Sequence, residues 1–269
     1  MERPANSGDV LVTLLDTCAA HGLPVPAPLR TGAGAVTLTL GDKPALLCPR
    51  LPGRHVLIPT VSQVASLGRF IARLHASATT PGGLPSYPRD REWLERQAHA
   101  VLPRLPYLRQ RLLLDALAEA NDLLGRDDVA RLPTGAIHGD LFRDNVLFNH
   151  LGLSGVLDFH HAANGYRIYD LAVAANDWCV DSAGALDRVR LQALVSAYAA
   201  IRPLDAAELW HLPMFMLYAG LAFWLSRLVV AFEHRQGRAE RAKDPEVFAR
   251  IVAERRAYPV CLDPCLVNQ

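Results

Sequence analysis

The stretch that decides the fold runs His138-Gly139-Asp140-Leu141-Phe142-Arg143-Asp144-Asn145-Val146-Leu147-Phe148, turns through residues 149–152, continues as the apolar run 153–157 and ends on Asp158-Phe159. Two strand-like runs joined by a tight turn pair antiparallel. With the turn centred between Leu151 and Gly152, Asn145 lies opposite Asp158 at the open end of the hairpin, and Asp140 sits just upstream in the loop that feeds the first strand. Three oxygen-bearing side chains then converge on one small volume. The amide oxygen of Asn145 and the carboxylate of Asp158 suit a hard cation that takes few protein ligands and keeps the rest of its coordination for water and phosphate; magnesium is the ion expected. The remaining aspartate, Asp140, is placed to accept or orient the proton of a substrate hydroxyl.

An aspartate in a loop is ordinarily a turn or capping residue, and so is an asparagine before a strand. What sets this stretch apart is the joint match of His-x-Asp-x-x-x-x-Asn with strand, turn, strand and Asp-Phe, in the order and context such a motif requires. Phosphoryl transfer asks for positioning and charge neutralisation more than covalent chemistry, and this set supplies both.

Outward from the hairpin the pattern is mostly helical. Thr60 opens a capping box with Gln63, and Val64, Leu67, Ile71 and Leu74 follow at helical spacing. Further helices are expected over residues 91–102, 108–124, 171–180, 185–201, 206–234 and 245–256. Before residue 53 the chain offers a short helix over 10–20, a proline-rich connector over 24–28, and two strand-like runs, 35–40 and 45–51, joined by the turn Gly41-Asp42-Lys43-Pro44. The expected class is α+β, with a small strand-bearing piece over residues 1–53 and a large, mainly helical body over 54–269.

Composition narrows the function. The 269 residues are 51% hydrophobic and 20% charged, enough for a sizeable core. A net charge of +1 offers no basic field for nucleic acid. The apolar run 212–232 holds Pro213, Ser226 and Arg227, so it reads as a buried core helix rather than a membrane span. No signal peptide is visible over residues 1–9. Five scattered cysteines, with Cys48 and Cys179 in apolar stretches, fit free thiols in a reducing cytoplasm; Cys261 and Cys265 alone make a weak metal signal. A small-molecule substrate is expected, with no nucleic acid or membrane partner, for a monomer or homodimer.

The loop and hairpin resemble the catalytic loop and metal segment of the protein-kinase-like fold, in the branch of aminoglycoside and choline phosphotransferases. The resemblance implies ATP and Mg2+, a catalytic base at Asp140, magnesium ligands at Asn145 and Asp158, and a bracing role for His138. Tyr169-Asp170-Leu171-Ala172, Asn176-Asp177-Trp178-Cys179, Phe223-Trp224-Leu225-Ser226-Arg227-Leu228, Lys243-Asp244-Pro245 with Phe248, and the connector 24–28 with Arg50-Leu51-Pro52-Gly53 are similar to bacterial homoserine kinases, over residues 22–256 in all. This implies phosphorylation of the L-homoserine hydroxyl in threonine synthesis. Arg50 and Leu51 then fall beside the nucleotide, and Arg143, Asp177 and Arg227 join Asp140 at the acceptor. Other roles stay open. Asp170 caps the helix over 171–180, holds the loop, or does both. Arg227 is either a buried ion-pair partner or the holder of a substrate carboxylate. Trp178 and Trp224 read as core aromatics, His75 as structural, and His160 and His161 as packing or loop residues.

The resemblance begins inside the N-terminal lobe. The Gly-rich hairpin, strand lysine and helix glutamate that open a kinase-like fold have no clear counterpart. Gly32-Ala33-Gly34 reads as a linker turn, Lys43 sits in a hairpin turn, and the first helix offers Asp9 and Asp16 but no glutamate. Three explanations stay open: a start site elsewhere, a truncated gene with an inactive product, or an arginine in place of the lysine, with Arg30 the nearest. The competing functions are a kinase of the same fold acting on choline or an aminoglycoside, and an inactive homologue.

Overall fold

The computed structural model describes residues 7–40, 43–77, 83–234, 243–260 and 262. Cys261 and Cys265 lie outside the described residues, as do Gly41 and Asp42 of the expected hairpin turn. The elements, in order, are α1 (Ser7–Ala20), β1 (Thr37–Leu40), β2 (Lys43–Leu46), α2 (Val61–Ser77), α3 (Arg91–Val101), α4 (Tyr107–Leu124), α5 (Asp127–Ala130), β3 (Thr134–Ile137), β4 (Val146–Asn149), β5 (Gly152–Val156), β6 (Ala163–Tyr166), α6 (Arg167–Trp178), α7 (Arg188–Ala199), α8 (Ala206–His234) and α9 (Glu246–Ala257). The fold is α+β: a helical body around three antiparallel strand pairs, β1–β2, β3–β6 and β4–β5.

Local signals account for most boundaries. The Thr60 hydroxyl accepts from the Gln63 amide at 3.3 Å while Gln63 Oε1 accepts from the Thr60 amide at 2.9 Å. The capping box therefore forms, and α2 starts there. Asp90 caps α3 by accepting from the Trp93 amide at 2.8 Å, the usual duty of an aspartate at that position. α6 is buried on nearly every face, as expected of a central helix. α8 packs against it and carries α3, α4 and α9 around it. Of the most apolar window of α8, 72% is buried, which identifies it as a core helix. A buried polar relay ties α6, α8 and α9 together: Asn176 donates to Met216 O at 2.6 Å and accepts from Arg255 Nε at 3.1 Å. α2 approaches α7 so closely that a Cβ on Gly68 would stand 2.4 Å from Leu194 O.

The first hairpin differs from expectation. β1 and β2 pair as Thr37↔Leu46 through Leu40↔Lys43, so Lys43 begins the second strand instead of sitting in the turn, and the pairing ends at Leu46. The chain around Gly53 continues onto the second hairpin. Arg54 and Phe148 exchange backbone hydrogen bonds at 2.9 Å each, and Ser154 donates to Pro52 O at 2.6 Å. Gly53 has φ of 129°, and a Cβ there would stand 2.4 Å from Ser154 Oγ. Only a glycine fits such a position without strain. β6 is too short and too mixed to register as a strand; it pairs with β3 as Ile137↔Ala163 through Thr134↔Tyr166. Cys18 and Cys179 are buried and Cys48 is half-buried.

Candidate active site

The loop 138–145 leaves β3 and enters β4 through a 3-10 turn at Arg143–Asn145. Its entrance is gripped by α6. Asp170, fully buried, accepts from the His138 amide through Oδ2 and from the Gly139 amide through Oδ1, each at 2.8 Å. Asp170 therefore does not cap α6, whose N-cap is Tyr166. The helix begins at Arg167, one turn earlier than its apolar run suggests, which turns Asp170 inward. His75 of α2 donates from Nε2 to Asp170 Oδ2 at 3.1 Å and accepts at Nδ1 from the Tyr198 hydroxyl at 2.8 Å. Burial pushes the His75 imidazole pKa down, against its bond to Asp170. Burial alone would raise the Asp170 carboxyl, but the hydrogen bonds from His75 and from the His138 amide hold it below the usual carboxylate range. A neutral histidine thus supports an ionised aspartate.

His138 is wholly buried. Its Nε2 donates to Leu157 O at 2.9 Å, its Nδ1 accepts from the Asp140 amide at 3.2 Å, and its ring lies 4.5 Å from that of Phe159. Trp178 donates to Leu141 O at 3.0 Å. Gly139 has φ of 77°, and a Cβ there would meet His161 O at 3.0 Å and Tyr87 Cε2 at 3.1 Å. Both the conformation and the close approach call for glycine. The loop is therefore fixed by α6 directly, by α2 through Asp170, and by Leu157 just past β5.

Asp140, Asn145 and Asp158 cluster at the mouth of the β4–β5 hairpin. Asn145 donates through its amide nitrogen to Asp140 O at 2.8 Å and to Asp140 Oδ2 at 2.9 Å. Burial raises the Asp140 carboxyl pKa; the charge of Arg89 opposes the rise and that of Asp158 adds to it. The register differs by one residue from expectation. The turn is the two-residue link His150–Leu151, set by Asn149 Oδ1 accepting from the Leu151 amide at 2.8 Å, and a bulge at Leu147/Phe148 adds one residue back. The tighter turn moves the pairing by two positions and the bulge restores one. Asn145 therefore faces Leu157, whose amide donates to Asn145 O at 2.8 Å. Asp158, one residue on, is exposed and takes left-handed backbone, φ 58° and ψ 60°; among the described residues no other non-glycine has positive φ. Such a residue is a strain outlier of the kind that clusters at functional sites.

Beside the loop lies a cavity of about 400 Å³ that brings together Arg143, Asp177 and Arg227, along with Phe142, Asp144 and Lys243. Asp177 Oδ2 accepts from the Arg143 amide at 2.7 Å and from its Nε at 3.1 Å, and Arg143 Nη1 donates to Leu57 O at 2.5 Å. Arg227 stacks 4.4 Å from the Phe248 ring centre and donates to Asp244 O at 3.1 Å. Burial lowers its pKa, and among the described residues no carboxylate lies within ion-pair distance of it. Arg50 and Leu51 stand apart from this cluster. Arg50 is exposed, and Leu51 packs on Gly155 of β5. Arg30 pairs with Asp16 of α1 at 2.5 Å.

Several participants escaped the sequence. His75 looked structural because nothing in α2 shows what faces it. Tyr87, packed on Gly139, and Arg89, buried with its charge felt at Asp140, come from a connector without a pattern. Lys243 and Asp144 form an ion pair across the cavity mouth. Lys243 belonged to a recognisable run, Lys243-Asp244-Pro245, which could have singled it out.

Residues 11–204 match the phosphotransferase enzyme family. Over 263 residues the chain is 41% identical to homoserine kinase of Pseudomonas aeruginosa, covering 96% of this chain and 81% of that protein. It is 40% identical over 240 residues to homoserine kinase of Methylobacillus flagellatus, covering 89% and 74%. Among solved structures, amicoumacin kinase in complex with AMP-PNP and Ca2+ superposes with a TM-score of 0.68 at 16% identity, over 94% of this chain and 77% of that one, which speaks for the fold.

Proposed function

The chain belongs to the phosphotransferase enzyme family, and from that premise we propose that it transfers the terminal phosphoryl group of ATP to the side-chain hydroxyl of L-homoserine, giving O-phospho-L-homoserine for threonine synthesis. Asp140 accepts the hydroxyl proton as the acceptor oxygen attacks. Its carboxylate is aimed by the 2.9 Å bond from Asn145 and its backbone by His138. A site held this firmly needs no reorganisation when the substrates arrive.

The donor set fits magnesium. Asn145 spends its amide nitrogen on Asp140, which leaves the amide oxygen for an ion, and Asp158 presents an exposed carboxylate beside it. Among the described residues no three His, Cys, Asp or Glu side chains gather to hold an ion alone, which suits an ion shared with phosphate oxygens. Magnesium bound there supplies charge neutralisation to the phosphates. Arg50 and Leu51 flank the nucleotide, residues 1–53 serve the nucleotide side, and residues 54–269 carry the loop and the acceptor cavity. The same reading sets the reaction in the cytoplasm, where ATP is available and thiols such as Cys18 and Cys179 stay reduced.

The observation that carries the acceptor is Arg227. A half-buried guanidinium with no carboxylate partner among the described residues is costly unless a ligand supplies one, and an amino-acid acceptor does. Arg143 and Asp177, locked to each other, wall the same cavity. A cation there disfavours choline and aminoglycosides, which carry the same charge. The test is ADP release by the purified chain with L-homoserine, choline and an aminoglycoside. L-Homoserine should lead by about a hundredfold or more in kcat/KM. Arg227→Met should raise its KM by about ten- to a hundredfold with kcat less affected. Equal turnover of choline would overturn the assignment.

A further inference from the structure

Five charged side chains line the cavity: Arg143, Asp144, Asp177, Arg227 and Lys243. Four of them form two ion pairs, and the two pairs differ in how firmly they are held. Arg143–Asp177 is anchored through the Arg143 amide at 2.7 Å and through Leu57 O, with Asp177 16% exposed. Lys243–Asp144 is a single side-chain contact, with the two side chains 56% and 51% exposed. Exposed pairs contribute little to stability, and a lysine on its flexible stem can swing to another anion. If a ligand opens one pair, it opens this one.

The surroundings show what kind of ligand would. Lys243 Nζ lies 5.6 Å and Arg227 Cζ 6.0 Å from the centre of the same Phe142 ring, so one carboxylate can be reached by both cations. Asp144, once released, is a carboxylate one residue from Asn145 and four from Asp140. We propose that the Lys243–Asp144 pair is a placeholder that an α-amino acid opens, with Asp144 receiving the acceptor's ammonium group and Lys243, beside Arg227, its carboxylate. The acceptor's short hydroxylated side chain then extends along the loop toward Asp140. The proposal rests on the amino-acid acceptor reading above and adds to it the recognition of both charged ends.

The test is the affinity of the purified full chain for three compounds, measured by calorimetry: L-homoserine, 4-hydroxybutanoate, which lacks the amine, and 3-aminopropan-1-ol, which lacks the carboxylate. Asp144→Asn should weaken L-homoserine by about tenfold or more, yet bind 4-hydroxybutanoate about two- to fivefold more tightly, because Lys243 no longer has an internal competitor. Lys243→Met should show the mirror pattern, weakening L-homoserine and tightening 3-aminopropan-1-ol. A tether with a purely structural role predicts no gain for either truncated compound. The proposal is overturned if both variants weaken all three compounds alike, or if neither weakens L-homoserine. Failure of the wild-type chain to bind L-homoserine while it still binds MgATP overturns the acceptor reading, and the placeholder with it.

Discussion

Replacing Asp170 should separate loop anchoring from every other role of α6. Its carboxylate is fully buried and accepts two backbone amides, His138 and Gly139, at 2.8 Å each, and His75 at 3.1 Å. Asp170→Ala leaves both amides unpaired away from water. At about 1–3 kcal/mol for each buried orphan, the loss is about 4 kcal/mol, within the range of about 3–5 kcal/mol for removing one partner of a buried charged contact. Asp170→Asn keeps one acceptor oxygen but sets an NH2 group against the second amide, so it should lose about 3 kcal/mol. For a chain of this length, about 4 kcal/mol corresponds to a drop of about 8 °C in Tm. Urea unfolding gives the free energies, and MgATP titration of the variants checks that nucleotide binding outlasts the loss of kcat. An Asp170→Asn variant within about 1 kcal/mol of wild type, with kcat intact, would refute the claim that this carboxylate holds the loop.

Asp158→Gly should remove the carboxylate proposed above to hold the metal while relieving left-handed backbone, so metal-dependent ATP binding is lost while stability stays level or rises by up to about 1 kcal/mol; a large loss of stability would show that Asp158 is structural. Gly68→Ala should destabilise by about 2–3 kcal/mol in urea. Its Cβ would collide with Leu194 O at 2.4 Å, a backbone atom that cannot step aside without parting α2 from α7. Acid should weaken the fold in two stages. His75, with its folded pKa below the ordinary 6.5, resists protonation that the unfolded chain accepts, so stability falls as pH drops below about 6.5. Asp170, with its pKa also depressed, loses its contribution as pH falls further through its folded value. A urea midpoint unchanged between pH 7 and pH 5 would contradict the first stage.

The convergence of the loop 138–145 with Asp158 could be read from the sequence because its information is local: the spacing of His138, Asp140 and Asn145, and a hairpin short enough that Asp158 must return to the same end. The register escaped by one residue because the Asx turn, worth two positions, and the bulge, which restores one, leave no trace in an apolar pattern. The start of α2, set by its capping box, and both ends of α8 were legible nearly to the residue. β6 was not, since Ala163-Asn164-Gly165-Tyr166 has neither alternation nor β-branched residues and is a strand only because β3 lies beside it. The grip of Asp170 on the loop spans 32 residues of sequence and that of His75 on Asp170 spans 95. The Lys243–Asp144 contact spans 99. Such pairings are products of the packed helices, and composition cannot announce them.

The central claim is that this chain moves a phosphoryl group from ATP to the hydroxyl of L-homoserine with Asp140 as the base. Phosphorus NMR of the purified chain incubated with MgATP and L-homoserine tests it most directly. The account predicts a phosphomonoester signal matching O-phospho-L-homoserine that grows in step with ADP, and a rate about 10²–10⁴ lower in Asp140→Asn with MgATP binding retained. ADP without the phosphomonoester, or an unchanged rate in Asp140→Asn, would contradict it.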